Sequence, residues 1–453
     1  MRSILVLNSG SSTIKFSIFA VDEQNKTINK TYTGLIDNIT TDASIKIKDC
    51  QNANRNILEK NLDVSSINDP YENAINEILC WVEQHDIQII AAGHRVAHGG
   101  ASYAHAVPID ADVLTNLSAL SHLAPLHQPY NLQGYKILHA KFPSILQVAC
   151  FDTSFHTTCN KLSQLFAIPK KLTEQGIRRY GFHGLSYEYI VTQLDKYLPQ
   201  DKATGKIIIA HLGQGASMCA IDNKTSVATT LSFSAVDGLP MGTRCGNIDP
   251  GVILHLMTNL NMSVKDVETL IYKESGLLGV SGGISSDMRV LLNSDSPDAK
   301  LAVDLFVYKI GAWIGMLAAE LGGLDGLIFT AGIGENAPYI REKICEKASW
   351  LGVIIDKEKN ANGAGTISTE NSKITVNVIP TDEELTIAKN VLGYLNILNA
   401  SRISGLAEID PSSLACSEAR PQPASGVYGV IHEKRGQGQQ QSCKPKCEGY
   451  ICS

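Results

Sequence analysis

The sequence predicts an α/β protein made of two duplicated halves that face one another across a cleft. One observation is a hairpin pattern over residues 4–19, where an apolar run breaks at an Asn-Ser-Gly-Ser-Ser-Thr tip and a second apolar run follows. A second is its repetition over residues 206–221 around a His-Leu-Gly-Gln-Gly tip. In addition, each half later holds an apolar strand that runs into a glycine-rich loop, at 89–100 and 327–336. Two such halves suit the binding of a polyanion from both sides, since successive turn amides form an anion-binding concavity.

Composition excludes several classes of protein. The 453 residues are 44% hydrophobic and 19% charged, which is typical of a globular protein with enough chain for two cores. The formal net charge of −6 argues against a nucleic-acid or membrane-surface binder. Polar residues from Asn8 onward interrupt the first apolar run too early for a signal peptide. The scattered cysteines, mostly flanked by apolar residues, indicate reduced core thiols of a cytoplasmic protein.

The first half continues with strand patterns over residues 31–48, of which 43–48 alternate at period two. Asp69 and Pro70 predict the start of an amphipathic helix, and the strand at Ile89 completes a crossover unit.

Helical patterns near 110–123 and 131–139 follow, joined by a loop with two prolines. The strand predicted over 145–151 then delivers Asp152 at its carboxyl end. We expect the first domain boundary just beyond it.

The second half is rich in glycine-punctuated loops that precede helices, at 178–186, 237–250 and 281–289. The apolar stretch 301–321 carries charged residues, so it predicts a buried core helix and not a membrane span.

The chain then returns to its first half. A strand at 374–379 and a turn at 380–384 lead into a helix that runs to about residue 398. We expect this helix to rejoin the first half, because its Glu-rich start must face the same cleft.

The predicted domains are therefore 1–152 plus about 384–399, and 153–383, with 400–453 as a disordered tail. Three tail cysteines fit no zinc spacing; they are Cys443, Cys447 and Cys452.

Five residues in the glycine-rich loops and at strand ends are candidates for chemistry. Arg95 and Arg244 offer the planar forks that match carboxylate or phosphoryl oxygens. His183 has small neighbours that let a substrate approach, and Asp152 and Glu383, each expected to end a strand, could hold Mg²⁺. Most also have a purely structural interpretation: an interdomain ion pair for the arginines, a hydrogen-bonded loop residue for His183, and a helix N-cap for Asp152.

The motifs together resemble one family over nearly the whole chain up to about residue 398. They are 8–15, 93–100, 151–156, 180–184, 211–215, 241–244, 332–336 and 380–384. Through them the chain resembles the acetokinase family of the acetate and sugar kinase/Hsc70/actin superfamily.

The resemblance implies two actin-like (ribonuclease H-like) domains that close about a hinge around a nucleotide cleft, and a homodimer. It implies reversible transfer of the γ-phosphoryl group of ATP to acetate, which yields acetyl phosphate and ADP, with Mg²⁺ or Mn²⁺ as the metal.

Site roles are also implied by the resemblance. Asp152, His183 and Arg244 would be catalytic, Arg95 would bind the substrate carboxylate, and Asn8 and Glu383 would lie near or on the metal. The methyl pocket would consist of Ala97, Leu126, Phe182 and Ala235. The nucleotide would contact Lys15, His211, Leu212, Gly213, Gln214, Gly215, Asp287, Met288, Arg289, Gly332, Ile333, Gly334, Glu335 and Asn336. Since a substrate carboxylate is already an anion, we expect Asp152 to orient the metal, a water or an arginine more than to abstract a proton.

Two departures from the residues usual in the family affect the expected binding of substrate and phosphate. Ala97 and Ala235 stand where Val and Pro are usual in the family, so we expect propionate to be accepted alongside acetate. Gln214 stands where Asn is usual, which affects the expected phosphate contact. The alternatives are a propionate or butyrate kinase, a sugar kinase, and an actin- or Hsp70-like ATP-driven interaction protein.

Overall fold

The computed structural model describes residues 1–52, 54–62, 69–125, 127–363 and 365–403. Within them the first half contains, in chain order, β1 (Arg2–Ser9), β2 (Ile14–Asp22), β3 (Thr27–Asp37), β4 (Ser44–Asp49), β5 (Arg55–Asn61), α1 (Pro70–Gln84), β6 (Gln88–Val96), β7 (Val107–Pro108), α2 (Ala111–Ala119), α3 (Gln128–Lys141) and β8 (Leu146–Phe151). The tail beyond residue 403, with the cysteines noted above, lies outside the described residues.

The second half contains α4 (Lys170–Glu174), α5 (Gly184–Tyr197), α6 (Gln200–Ala203), β9 (Ile207–Leu212), β10 (Ala216–Asp222), β11 (Thr225–Thr229), α7 (Pro250–Thr258), α8 (Val264–Thr269), α9 (Gly276–Val280), α10 (Met288–Leu292), α11 (Pro297–Leu321), β12 (Gly326–Thr330), α12 (Ala331–Asn336), α13 (Pro338–Lys347), α14 (Lys357–Asn362), β13 (Gly365–Thr366), β14 (Thr375–Val378) and α15 (Glu383–Ile403).

The two sheets repeat one plan. The eight-stranded sheet has the order β5-β4-β3-β2-β1-β6-β8-β7, and the six-stranded sheet has the order β11-β10-β9-β12-β14-β13. In each, antiparallel strands form a meander, β1–β5 in the first sheet and β9–β11 in the second, and two further strands continue in parallel from the first strand of that meander. Both predicted hairpins and the duplication are thereby confirmed.

The first sheet is buried on both faces because its strands alternate. Leu5 and Leu7 of β1 point into the core formed with α1 and α3. Ile4 and Val6 point to the opposite face, where α15 packs with Ile387. The C-terminal helix thus lies on the first sheet, and Glu383 at its first residue faces the edge where the parallel strands end. The exact domain boundaries stay a prediction.

Helix α11 is the one helix of the described chain that is long and apolar enough to cross a membrane, and half of its most apolar window is buried. Its inward side chains, such as Phe306 and Ile310, belong to the core of the second half. The expectation of a core helix is confirmed.

Three local predictions were wrong. Residues 331–336 form helix α12 and not a loop, because Ala331 takes a left-handed conformation (φ 64) that turns the chain directly from β12 into a helix. Glu383 begins a helix instead of ending a strand, since β14 already ends at Val378. Among the described cysteines, Cys80 is exposed on α1, so the thiols are not all in the core.

Candidate active site

The carboxyl edge of the first sheet brings three predicted residues together. Arg95 lies near the end of β6, and Asp152 follows its parallel neighbour β8. The Nε and Nη2 atoms of Arg95 donate to the two carboxylate oxygens of Asp152 at 2.9 and 2.7 Å. The remaining Nη1 atom of Arg95 lies 3.0 Å from a carboxylate oxygen of Glu383. One guanidinium therefore joins two acids from different elements, and Asp152 is not a helix cap.

Burial shapes the charges of this cluster. Burial by itself would lower the pKa of Arg95, but Asp152 and Glu383 outweigh it and hold the pKa above its usual value. Burial raises the pKa of Asp152, and the bidentate pair with Arg95 opposes that shift. For Glu383 burial is outweighed by Arg95, His211 and Lys15, so its pKa is lowered. The guanidinium thus opposes the effect of burial on both acids, and it outweighs burial only at Glu383 with the help of His211 and Lys15.

Two stacked imidazoles come from the second half. His183 begins α5 in a left-handed conformation (φ 59), and its ring lies 4.3 Å from that of His211, centre to centre, at 24°. The Nδ1 atom of His183 is 2.8 Å from Ser217 Oγ, and Nδ1 of His211 is 2.8 Å from Ser186 Oγ. Each ring is therefore held at Nδ1 by a serine.

Both imidazoles are neutral at physiological pH. Burial, together with His211, Arg95 and Arg244, holds the pKa of His183 well below its usual value. Burial likewise lowers the pKa of His211 to about 4. Neutral rings can act as hydrogen-bond donors without adding to the positive charge of the arginines.

Arg244 approaches the same place from the loop before α7. The Nη1 atom of Arg244 donates to the carbonyl oxygen of Ala235 at 2.9 Å. A Cβ atom built on Gly215 would lie 3.3 Å from His183 Nε2 and 3.7 Å from Arg244 Nη1. Burial is the main reason that the pKa of Arg244 is lowered, and the positive charge of Arg95 adds to the effect. Both arginine charges therefore act on His183, and Arg244 lies near it at Gly215.

His127, which lies in the predicted loop with two prolines and was given no role there, belongs to this cluster. It precedes α3, and burial followed by the charges of Arg244 and Arg95 lowers its pKa to about 4. A third neutral imidazole thus lies close to both cations. Its position between two prolines was the available signal, but proline spacing alone does not show what a loop faces.

The predicted substrate pocket is described in part. Ala97 is held by a backbone hydrogen bond to Asn131 Oδ1 at 2.9 Å, and Phe182 is buried with His98 at 5.7 Å between ring centres. Ala235 lies at Arg244 through its carbonyl group. Leu126 lies outside the described residues. No side chain larger than alanine stands at position 97 or 235.

The predicted nucleotide residues fall into three groups. Gly213 and Gly215 close the tight turn between β9 and β10, beside which Gln214 Nε2 donates to Ser286 Oγ at 3.2 Å. In α12 the Glu335 Oε1 atom accepts from the backbone of Ala331 at 2.8 Å, so this carboxylate caps the helix.

The third group lies apart from the arginine cluster. Asp287 caps α10 and pairs with Arg289, whose side chain is 87% exposed, while Met288 between them is buried. Within the described chain no hydrogen bond or ion pair joins these residues to Arg95 or Arg244. Their contact with a nucleotide stays a prediction.

The two predicted metal-site residues lie at the same end of the sheet. Asn8 near the end of β1 pairs with Lys15 across the hairpin, and Lys15 is close enough to Glu383 to lower its pKa. No group of three or more His, Cys, Asp or Glu side chains suited to a metal occurs in the described ranges. One carboxylate and one amide oxygen suit Mg²⁺, which usually takes its other ligands from water and substrate phosphates.

Comparison with known proteins agrees with this arrangement. A sequence model of the acetokinase family matches residues 3–389. The chain is 46% identical to an acetate kinase of Rhodopseudomonas palustris over 86% of this chain and 97% of that protein. It is 46% identical to an acetate kinase of Rickettsia prowazekii, over 86% of this chain and 99% of the relative.

Solved structures also match. A propionate kinase from Francisella tularensis superposes with a TM-score of 0.80 at 36% identity, over 87% of this chain and all of that one (100%). An acetate kinase from Porphyromonas gingivalis superposes with a TM-score of 0.77 at 34% identity, over 87% and 100% of the two chains. The expected fold class, two actin-like α/β halves facing a cleft, is confirmed, and the chain belongs to the acetokinase family.

Proposed function

We propose that this protein is an acetate kinase, which reversibly transfers the γ-phosphoryl group of ATP to acetate and forms acetyl phosphate and ADP. The observation that carries this reaction is that the charges of Arg95 and Arg244 both act on neutral His183, while Asp152 fixes Arg95 through two hydrogen bonds. Such a site holds two anions close together without a strong base, as a carboxylate nucleophile requires.

The mechanism follows from these positions. Arg95 binds the substrate carboxylate and screens it from the polyphosphate, because an uncompensated carboxylate would be repelled by the nucleotide. Arg244 and His183 donate to the equatorial oxygens of the phosphoryl group during in-line transfer, where charge is spread in the transition state. Asp152 orients Arg95 through two hydrogen bonds and abstracts no proton.

The nucleotide is bound by the second half in this proposal. The backbone of Gly213–Gly215 cradles phosphates, and α12 with the α10 start holds the adenosine. Asn8 and Glu383 would hold Mg²⁺, or Mn²⁺ in its place. The metal supplies neutralisation of phosphate charge when it is bound.

A propionate kinase is the second candidate. It is favoured by the two alanines of the pocket and by the name of the similar Francisella protein. A pocket discriminates one methylene only weakly, by about 10- to 200-fold, so we expect both acids to be substrates.

A carboxylate series from formate to butyrate, with acyl phosphate trapped by hydroxylamine as the hydroxamate, tests the activity and the substrate together. ATP turnover that depends on acetate supports the proposal. Turnover that needs no carboxylate would instead indicate an actin- or Hsp70-like ATPase. A kcat/KM for propionate a thousandfold below that for acetate would overturn the expected breadth.

We also propose a homodimer in the cytoplasm. Apolar side chains are exposed together on α7 and the start of α8, as expected of a surface that a second copy covers. They include Val252, Leu254, Met257, Leu260 and Val264.

Light scattering after size-exclusion chromatography tests the dimer. Leu254→Glu combined with Val264→Glu should yield monomers, whereas Ile57→Glu on β5 should not. A monomeric wild-type protein would contradict the proposal.

A further inference from the structure

A chain of hydrogen bonds leads from the core to His183. The buried Tyr187 hydroxyl contacts Ser217 Oγ, and Ser217 Oγ lies 2.8 Å from His183 Nδ1. Tyr187 and Ser217 are both fully buried. For the described residues no other polar partner of the Tyr187 hydroxyl or the Ser217 hydroxyl is present.

Counting hydrogens fixes the direction of these bonds. The phenol and the serine each carry one hydroxyl hydrogen, and a buried hydrogen without an acceptor is destabilising. If Tyr187 donates to Ser217 and Ser217 donates to His183 Nδ1, both hydrogens are used. If His183 donated from Nδ1, either the Tyr187 or the Ser217 hydrogen would have no acceptor.

The direction matters because His183 is neutral. A neutral imidazole donates from only one of its nitrogens, and the partner of the other nitrogen decides which one. With Nδ1 accepting from Ser217, the proton lies on Nε2. That atom would lie 3.3 Å from a Cβ built on Gly215, and Arg244 Nη1 would lie 3.7 Å from the same point.

We propose that Tyr187 and Ser217 are positioning residues that hold His183 as its Nε2–H tautomer, so that this N–H donates to the phosphoryl group being transferred. The inference rests on the proposed function for the identity of the acceptor. The tautomer itself can be measured without substrates.

Nitrogen-15 NMR of histidine-labelled protein, free of nucleotide and carboxylate, reports the tautomer. The His183 signals are identified by their loss in His183→Asn. We expect the Nε2–H pattern in the wild type and a mixture or the opposite pattern in Ser217→Ala. An Nδ1–H pattern in the wild-type protein would overturn the inference.

Steady-state kinetics give the second readout. Ser217→Ala should lower kcat by about 10- to 100-fold, by analogy with the loss of groups that orient metal-bound histidines. Its KM for ATP and for acetate should change less than kcat. Tyr187→Phe keeps the ring and the serine donor, so we expect about a fivefold loss of kcat, typical of one neutral hydrogen bond.

Tyr197→Phe is the matched control, because it makes the same change on the same helix outside this chain of bonds, and it should retain wild-type kcat. Unchanged His183 shifts and unchanged kcat in both Ser217→Ala and Tyr187→Phe would refute the positioning role. If Ser217→Ala does not fold, Tyr187→Phe and the wild-type spectrum decide. Absence of acetate-dependent turnover in the wild type would instead reject the proposed function, while leaving the tautomer result intact.

Discussion

The guanidinium group of Arg95 contacts different acids on its two sides. Its Nε and Nη2 atoms form the bidentate pair with Asp152, which is buried. Its Nη1 atom contacts Glu383 at 3.0 Å. The Asp152 side of the fork is thus a support, and the Nη1 side is the part that we expect a substrate carboxylate to meet.

Asp152→Asn tests this division. An amide keeps the shape but turns one acceptor into a donor that faces Arg95, so the guanidinium loses its alignment. We expect kcat to fall by about 10²- to 10³-fold, as when one transition-state donor is lost. Full kcat in this variant, measured by hydroxamate formation, would refute any essential role. Asp298→Asn, on the exposed start of α11, is the control and should keep the wild-type kcat.

The two pocket alanines test substrate breadth at the same scale. Ala97→Val combined with Ala235→Pro narrows the pocket, and the propionate-to-acetate ratio of kcat/KM should fall by about tenfold because one methylene no longer fits. Ala361→Val, exposed on α14, should leave the ratio unchanged. An unchanged ratio in the double variant would mean that these positions do not contact the acyl chain.

At the scale of elements, α9 fixes the loop that carries Arg244. The backbone of Leu277 donates to Met241 O at 2.8 Å, and that of Ser275 donates to Thr243 O at 3.0 Å. Gly276 between them has φ 62, and a Cβ there would lie 2.1 Å from Met241 O and 2.7 Å from Arg244 O. Only glycine permits this approach of helix to loop.

Gly276→Ala should therefore displace Arg244. We expect kcat to fall by more than about tenfold, since a small misplacement of a catalytic group is costly. Gly283→Ala is the matched control: its φ is 87, but nothing lies within 4 Å of the added Cβ. It bears only the backbone penalty of about 1–2 kcal/mol and should keep its kcat. Equal losses in the two variants would contradict the role of α9.

At the scale of the whole molecule, the two halves bury several histidines in neutral form. Burial is the largest cause that lowers each pKa to about 4. They are His94, His98, His127, His156 and His211. At neutral pH neither the folded nor the unfolded chain binds a proton at these histidines. Their burial therefore lowers no stability at that pH.

Mildly acidic pH should therefore destabilise the fold. Below pH 6.5 these histidines become protonated in the unfolded chain but stay neutral in the folded chain. The free energy of unfolding that is present above pH 6.5 is therefore lost as the pH falls towards 4. Each histidine contributes up to about 3 kcal/mol to this loss. Thermal unfolding between pH 7.5 and 5 measures it, and His94→Gln should flatten the decline. A Tm independent of pH in this range would contradict the expectation.

Much of this protein could be predicted from local sequence pattern. The hairpins of β1–β2 and β9–β10 follow from apolar runs around glycine-containing tips, and Asp69 with Pro70 marks the start of α1, since caps and turns depend on neighbouring residues alone. The placement of Asp152 after β8 follows in the same way. The family motifs supplied the rest of the candidate site.

Tertiary structure alone decided which of those residues meet. Arg95 joins Asp152 and Glu383 across 57 residues and more of chain, and His127 and the Tyr187–Ser217 pair show no motif of their own. Helix α12 exists because Ala331 adopts a left-handed turn that its residue type does not favour. Local structure depends on short runs of neighbouring residues. Contacts between distant segments arise only when the two halves pack around a common cleft, and so does the burial that keeps the histidines neutral.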